Sequence, residues 1–359
     1  MRGFVFSLLF LFLLHSVSFA IDIVFVAPMK GEFSSYSRQM YNGLKLSLPA
    51  GISISEIDEL NEDFVDAVAA KNPKVIIGPF FKGDVDNLTE TFCSKPVLVL
   101  LPFAKQDTPC PNVFHYGFDP LSAASQLAQQ VCSLPIGSVI SFYGMDRLSQ
   151  KEHDVFIDSL NRCGGVDVES YGLPSFVNLL GSVIKEAFDI RKINRIGGLT
   201  EKKIFQQEVE PDRVVIFAPP KVMVNFLSMV DYYDVKSGGI LGLTTQMTPG
   251  FARLNATATR GVRLMFPYFL CNKDDLNKGF VDQYRKMFFE DPTQFSALGF
   301  DIGNILLQLF AGKNIKELAD QKLVMGKLLF FSDDNNGVID YPIFDANEVR
   351  LCAKQTSNR

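Results

Sequence analysis

Two hydrophobic patterns alternate along the chain. Short, nearly continuous apolar runs are followed by stretches in which apolar residues return every three or four positions. The first run, IDIVFVAP at Ile21–Pro28, suits a strand covered on both faces, as in a parallel sheet. The loop KGEFSSYS follows, then a helical pattern through Met40, Leu44, Leu46 and Leu48 that Pro49-Ala50-Gly51 interrupts. ISISEID reads as the second strand, and residues 61–70 as a helix stopped by Asn72-Pro73. KVIIGPF is the third strand, residues 84–92 form a short helix with Asp84 as its N-cap, and KPVLVLLPF is the fourth strand.

The same rhythm fills the second half. Residues 119–132 read as a helix with Pro120 in its first turn, SVISFYG as a strand, and residues 149–162 as a helix ending at Gly164-Gly165. VDVESYGL is a strand and 176–188 a helix. DRVVIFAPP is a strand and 222–232 a helix. GGILGLTT and GVRLMFPYF are strands, and 279–289 and 297–309 are helices. LLFFSDDNNGVIDYPIF closes as a hairpin with Asn336-Gly337 as its turn. Strands separated by helices of this length form βαβ units and parallel sheets. About four units precede Asp119 and about four follow it, which predicts an α/β protein of two doubly wound parallel-sheet lobes. No long Gly/Ser linker separates them, so short crossover strands are expected as the hinge.

One apolar run ends oddly. VIIGPFFKGDV, Val75–Val85, leaves a buried strand through Gly-Pro and then presents Phe80, Phe81 and Lys82 in place of a polar turn. In doubly wound sheets ligands bind beyond the carboxyl ends of the strands, which places these residues at a rim, as cleft wall or as packing.

The first twenty residues stand apart. Arg2 precedes an apolar run from Phe4 to Leu14, and Ser18-Phe19-Ala20 offers the small residues of a cleavage site, so residues 1–20 read as a secretory signal peptide. The run is too short to span a bilayer, no later segment is long enough, and the chain is not expected to be membrane-embedded. Periplasmic or secreted localisation follows, with roughly 340 residues left for two lobes. A formal charge of −5 argues against nucleic acid as a partner. The six cysteines, an even number in an exported chain, imply disulfides, and fifteen connectivities are open.

No enzyme signature emerges. There is no C-x-x-C, no G-x-S-x-G, no Walker loop, no H-E-x-x-H and no Cys/His cluster, so neither a metal site nor a cofactor is expected. His153 in KEHDVF reads as a solvated helix residue, and His115 in FHYGF as core or cleft lining. SDDNNGVID lacks the first acid and the last glutamate of a calcium loop and reads as a hairpin turn. Asn87-Leu88-Thr89 and Asn255-Ala256-Thr257 match the glycosylation triplet, a pattern common by chance.

In this order the motifs resemble a known group. IVFVAPMKGEFSSYSRQMYNGLKLSL is similar to the opening of type I periplasmic binding proteins, the leucine-binding-protein-like group. KVIIGPF resembles their third strand, VVIFAPPKVMVNFLSMVDYYDVKSGGILGLTTQ their second-lobe strand, helix and strand, and ALGFDIGNILLQL with GKLLFFSDDNNGVIDYPIF their last helix and closing hairpin. The resemblance implies a Venus-flytrap architecture joined by a three-strand hinge. It puts residues 21–118 with 267–325 in one lobe and 119–266 with 326–359 in the other. Amino-acid receptors of this fold hold their ligand with Ser or Thr after the third strand and Ala-x-Thr after the fourth. Here those positions read Phe81-Lys82-Gly83 and Phe103-Ala104-Lys105, without the hydroxyl pair. IIGPFFKGDVDNL, RIGGL, APP and LNATATRGVRLMFPYF look closer to the penicillin-binding protein activator branch.

The branch implies a non-enzymatic protein that binds a cell-wall enzyme such as a peptidoglycan synthase, or a small ligand, in envelope biogenesis. The alternative is a solute receptor working with ABC transporter membrane subunits and holding an amino acid or anionic small molecule between the lobes. On either account the first lobe is expected to supply Lys30, Glu32, Ser34, Ser35, Tyr36, Phe80, Phe81, Lys82, Phe103 and Lys105. The second is expected to supply Tyr143, Pro219, Thr245 and Gln246. Three lysines on one rim favour an anion. A disulfide pairing is also expected: Cys93 and Cys110 flank the fourth strand and its loop, Cys132 and Cys163 sit where helices return to one sheet end, and Cys271 and Cys352 remain.

Overall fold

A computed structural model describes residues 22–107, 110–135, 137–195 and 202–357. The signal peptide expected at residues 1–20 and most of RIGGL lie outside these residues. The fold comprises two compact units. One runs up to Arg38 and resumes from Ser47 to Tyr116; the other holds Gln39–Leu46 and the chain from Gly117 onward. This division differs from the expected lobes in grouping residues 267–325 with the second unit.

The first unit is built from β1 (Asp22–Ala27), α1 (Ser34–Ser47, of which Gln39–Leu46 belong to the second unit), β2 (Ser53–Asp58), α2 (Phe64–Ala70), β3 (Val75–Ile77), α3 (Lys82–Phe92), β4 (Leu98–Leu101) and β5 (Val113–His115). The strands form one parallel sheet in the order β2-β1-β3-β4-β5. The winding reverses at β1, which lies between β2 and β3, so loops after β1 and β3 leave the same edge side by side. Alternate residues Val24 and Val26, with Ile76, Val99 and Leu101, pack against Phe64 and Val68 of α2 and Val85, Leu88 and Phe92 of α3. β5 is as short as β3, but its apolar pair Val113-Phe114 is closed by His115, so it gives no continuous apolar run.

The second unit continues with α4 (Pro120–Cys132), β6 (Ser138–Gly144), α5 (Arg147–Asn161), β7 (Asp167–Leu173), α6 (Val177–Ala187), β8 (Ile190–Arg195), β9 (Lys202–Gln207), β10 (Arg213–Phe217), α7 (Pro220–Tyr232), β11 (Ile240–Leu243) and β12 (Val262–Met265). It ends with α8 (Asp275–Phe288), α9 (Gln294–Phe310), β13 (Gln321–Leu323), β14 (Gly326–Phe331), β15 (Gly337–Asp340), β16 (Ile343–Asp345) and α10 (Ala346–Ser357). Its main sheet has the order β16-β12-β11-β10-β6-β7, parallel except for β16. β6 sits between β7 and β10, so the winding reverses there as it does at β1.

Several details depart from the sequence reading. Asp84 does not cap α3; the helix starts two residues earlier, behind Phe81 in an extended conformation, because the chain turns directly out of Gly78-Pro79-Phe80. The β14–β15 turn places its positive φ at Asn335 (60°), and Gly337 already belongs to β15. The antiparallel pair β8–β9 and α10 have no counterpart in the sequence reading. α10 buries Ala346, Val349, Cys352 and Ala353 along one stripe, a helical spacing broken on the surface by charged neighbours.

The structure joins Cys93 to Cys110, Cys132 to Cys163 and Cys271 to Cys352. The first ties the end of α3 to the segment before β5, the second ties the ends of α4 and α5, and the third anchors α10 to the loop after β12.

Candidate functional site

At the reversal in the first unit, the loops after β1 and β3 meet. Gly78 makes this possible: its φ is +105°, and a Cβ there would lie 1.9 Å from the Val26 carbonyl oxygen. The Gly78–Pro79 bond is cis. Phe80 then turns inward, edge-on to Phe25 (6.2 Å between ring centroids) and to Phe103 (4.5 Å). Phe81 stays half-buried and meets the Phe33 ring edge-on at 5.3 Å, and Phe33 lies 6.1 Å from Tyr36. Phe33 and Tyr36 remain 38% and 39% exposed. A small aromatic rim therefore stands at the carboxyl edge of this sheet, on a buried base of Phe80.

The lysines do not form a free cationic rim. Lys82, the first residue of α3, reaches Asp86 at 2.9 Å and Asp107 at 3.0 Å, and also donates to the Lys105 carbonyl at 2.7 Å. Burial pulls the Lys82 ammonium down, but the two carboxylates outweigh it and hold it above the usual lysine range. Lys30 is exposed, with Asp58 at 3.8 Å, and the Lys105 side chain is half-buried. Glu32 is exposed; Ser34 donates to the Gly31 carbonyl at 2.8 Å and closes the first loop, with Ser35 half-buried beside it. Ser37, which sequence reasoning passed over, is buried and donates to the Pro28 carbonyl at 2.8 Å, fixing where that loop joins α1.

Sequence reasoning also missed Glu59. It follows β2, is 3% exposed, and accepts the Phe80 amide on Oε2 at 2.6 Å. Burial pushes its carboxyl up to about 7, against the lowering effect of that hydrogen bond and with a further upward push from Asp84 and Asp58. Nothing in ISISEIDEL distinguishes it from a solvated glutamate.

The reversal in the second unit gathers Tyr143 and Pro219. Tyr143, half-buried, is the last residue but one of β6, and Gly144 ends the strand in a space where a Cβ would lie 3.1 Å from Pro219 Cδ. Pro219 stands at the N-cap position of α7. Thr245, half-buried, and Gln246, exposed, continue from the next strand, β11. His153 corrects the sequence reading. It is 8% exposed, its ring lies 4.4 Å from that of Tyr143, and its Nε2 is 3.0 Å from Ser170 Oγ. Its charged neighbours on α5 suggested solvent, but the helix turns this position onto the β6–β7 surface. Burial holds its pKa below the usual value although Asp154 pulls upward. The adjacent Glu152 is 3% exposed and pushed up to about 8 by burial and by Asp146.

Among the described residues, no group of three or more His, Cys, Asp or Glu is placed to hold a metal ion, and no helix is long and apolar enough to cross a membrane. Each unit thus carries its own strand-edge surface: an aromatic rim over the buried Glu59 in the first, and a tilted Tyr143–His153 ring pair in the second.

No protein-family model matches the chain, and no curated protein matches it in sequence. Solved structures do match. A putative branched-chain amino acid ABC transporter protein from Rhodospirillum rubrum superimposes with a TM-score of 0.74 at 16% identity, over 90% of this chain and 96% of that one. The C-domain of LpoA from Haemophilus influenzae, a regulator of PBP1A, gives 0.63 at 13% identity over 90% and 97%. Full-length LpoA from the same organism gives 0.64 at 13% identity, and there the match spans 92% of this chain but 58% of that one. Identities this low carry the fold and not the ligand. Two parallel sheets, each reversing at its first strand, together with these matches, identify the fold as that of the type I periplasmic binding proteins.

Proposed function

We propose that this chain is a non-enzymatic, exported binding protein of the cell envelope whose partner is a peptidoglycan synthase, in the manner of the penicillin-binding protein activators. The observation that carries this reading is the pairing of Lys82 with Asp86 and Asp107. Where amino-acid receptors place hydroxyls for a ligand carboxylate, this chain has Phe81 and a lysine whose charge is already satisfied. An aromatic surface with charges at its margin is the composition of protein-contact sites. The test is sedimentation of the purified mature chain with a soluble peptidoglycan synthase. Co-sedimentation, with a changed rate of glycan polymerisation, is expected; independent sedimentation at micromolar concentrations contradicts the proposal.

A second reading, a solute receptor of an ABC transporter, draws on the exposed Lys30, Phe33 and Tyr36 at the same edge. It requires a small amino-acid or anionic ligand that stabilises the fold.

A further inference from the structure

Glu59 joins three strand ends. Its amide donates to the Ala27 carbonyl at the end of β1 at 3.1 Å, it follows β2 directly, and its Oε2 accepts the Phe80 amide beyond β3 at 2.6 Å. Its other oxygen, Oε1, is buried and has no hydrogen-bond partner. A carboxylate with one bare buried oxygen is costly, whereas a neutral carboxyl pays far less for the same burial.

The facing groups add to that cost. Asp58, the preceding residue, accepts the Met29 amide at 3.0 Å and the Leu60 amide at 3.3 Å, and its other oxygen lies 3.8 Å from Lys30 Nζ. Asp84 faces Glu59 from the first turn of α3. Lys82, in the same turn, is directed to Asp86 and Asp107. The β1 and β3 ends contribute Ala27, Pro28, Pro79 and Phe80, none of them titratable.

We infer that Glu59 is a positioning residue for the aromatic rim: its neutral carboxyl holds the Phe80–Phe81 segment in place, and its ionisation loosens that segment. Two effects oppose each other. The Phe80 N–H is a better partner for a carboxylate than for a carboxyl, yet solvating Oε1 requires the segment to open. Burial outweighs the hydrogen bond and pushes the carboxyl up to about 7. The rim that Phe80 supports is then best ordered in mildly acidic surroundings. The inference rests on the proposed function only in treating this rim as a binding surface, and its test uses no ligand or partner, so each can fail without the other.

The chain contains no tryptophan, so Phe33→Trp supplies a single reporter in edge contact with Phe81. Its emission is expected to change in one step between pH 6 and 8, and the step is expected to vanish when Glu59→Gln is added. The same step in both chains, or no step in the first, overturns the inference. If Glu59→Gln prevents folding, hydrogen exchange over residues 78–85 of the unsubstituted chain decides, with rates corrected for intrinsic pH dependence. One pH unit above its pKa the neutral form is about tenfold scarcer, so a loss of protection of that order from pH 6 to 8 is expected. Unchanged protection overturns the inference.

Discussion

Gly43 and Gly299 lie face to face where α1 meets α9. A Cβ on Gly43 would stand 1.9 Å from the Ser296 carbonyl oxygen, and one on Gly299 would stand 1.9 Å from the Met40 carbonyl oxygen. The obstacle is backbone on both sides, so no side chain can rotate away. Gly299→Ala is therefore expected to destabilise the chain by about 3 kcal/mol, the upper end of overpacking costs, as read from denaturant midpoints. An effect under 1 kcal/mol contradicts this close approach.

Stability should fall as pH rises from 6.5 to 8. Burial pushes the carboxyls of Glu152 and Glu59 up to about 8 and about 7 in the folded chain, well above the ordinary glutamate range. The unfolded chain binds fewer protons in this range, so raising the pH favours it. A loss of about 2 kcal/mol is expected, most of it from Glu152. Glu152→Gln should remove more than half of it. His153, held low by burial, acts in the opposite sense as pH falls below 6.5, so the window above that value isolates the glutamates. A flat profile, or the same slope in Glu152→Gln, speaks against two buried neutral carboxyls.

The disulfides offer a chemical test. All six cysteines are bonded, so the unfolded, unreduced mature protein should titrate no free thiol and the reduced protein six. Removing Cys132–Cys163 by paired serine substitutions should cost about 3.7 kcal/mol, the loop-closure estimate for a bridge of this span. Free thiols before reduction would rule the pairing out.

The sheets were legible because their strands are covered on both faces and therefore appear as unbroken apolar runs such as IDIVFVAP and DRVVIFAPP. β5, whose apolar pair is closed by His115, and α10, whose stripe is interleaved with Asn347, Glu348 and Lys354, lacked that signal. The rim was legible in part. The phenylalanines of GPFFK do stand at a strand end, but whether Phe80 faces in and Phe81 sideways depends on Gly78 and on a hydrogen bond from across the sheet. The pairing of Lys82 with Asp107 depends on a residue 25 positions away that no periodicity links to it. Glu59 and His153 were missed or misread for the same reason: both sit in charged surroundings in sequence, and only the packing of neighbouring strands shows them buried.

The most direct measurement is a thermal-shift series on the mature protein against amino acids, anionic metabolites, nucleosides and peptidoglycan fragments. A regulator whose Lys82 is already paired should show no response to free amino acids or small anions. A ligand at 100 times its Kd adds about 2.7 kcal/mol of stability to a receptor. A shift of that size with an amino acid or anionic metabolite would contradict the synthase-binding account and make the chain a solute receptor.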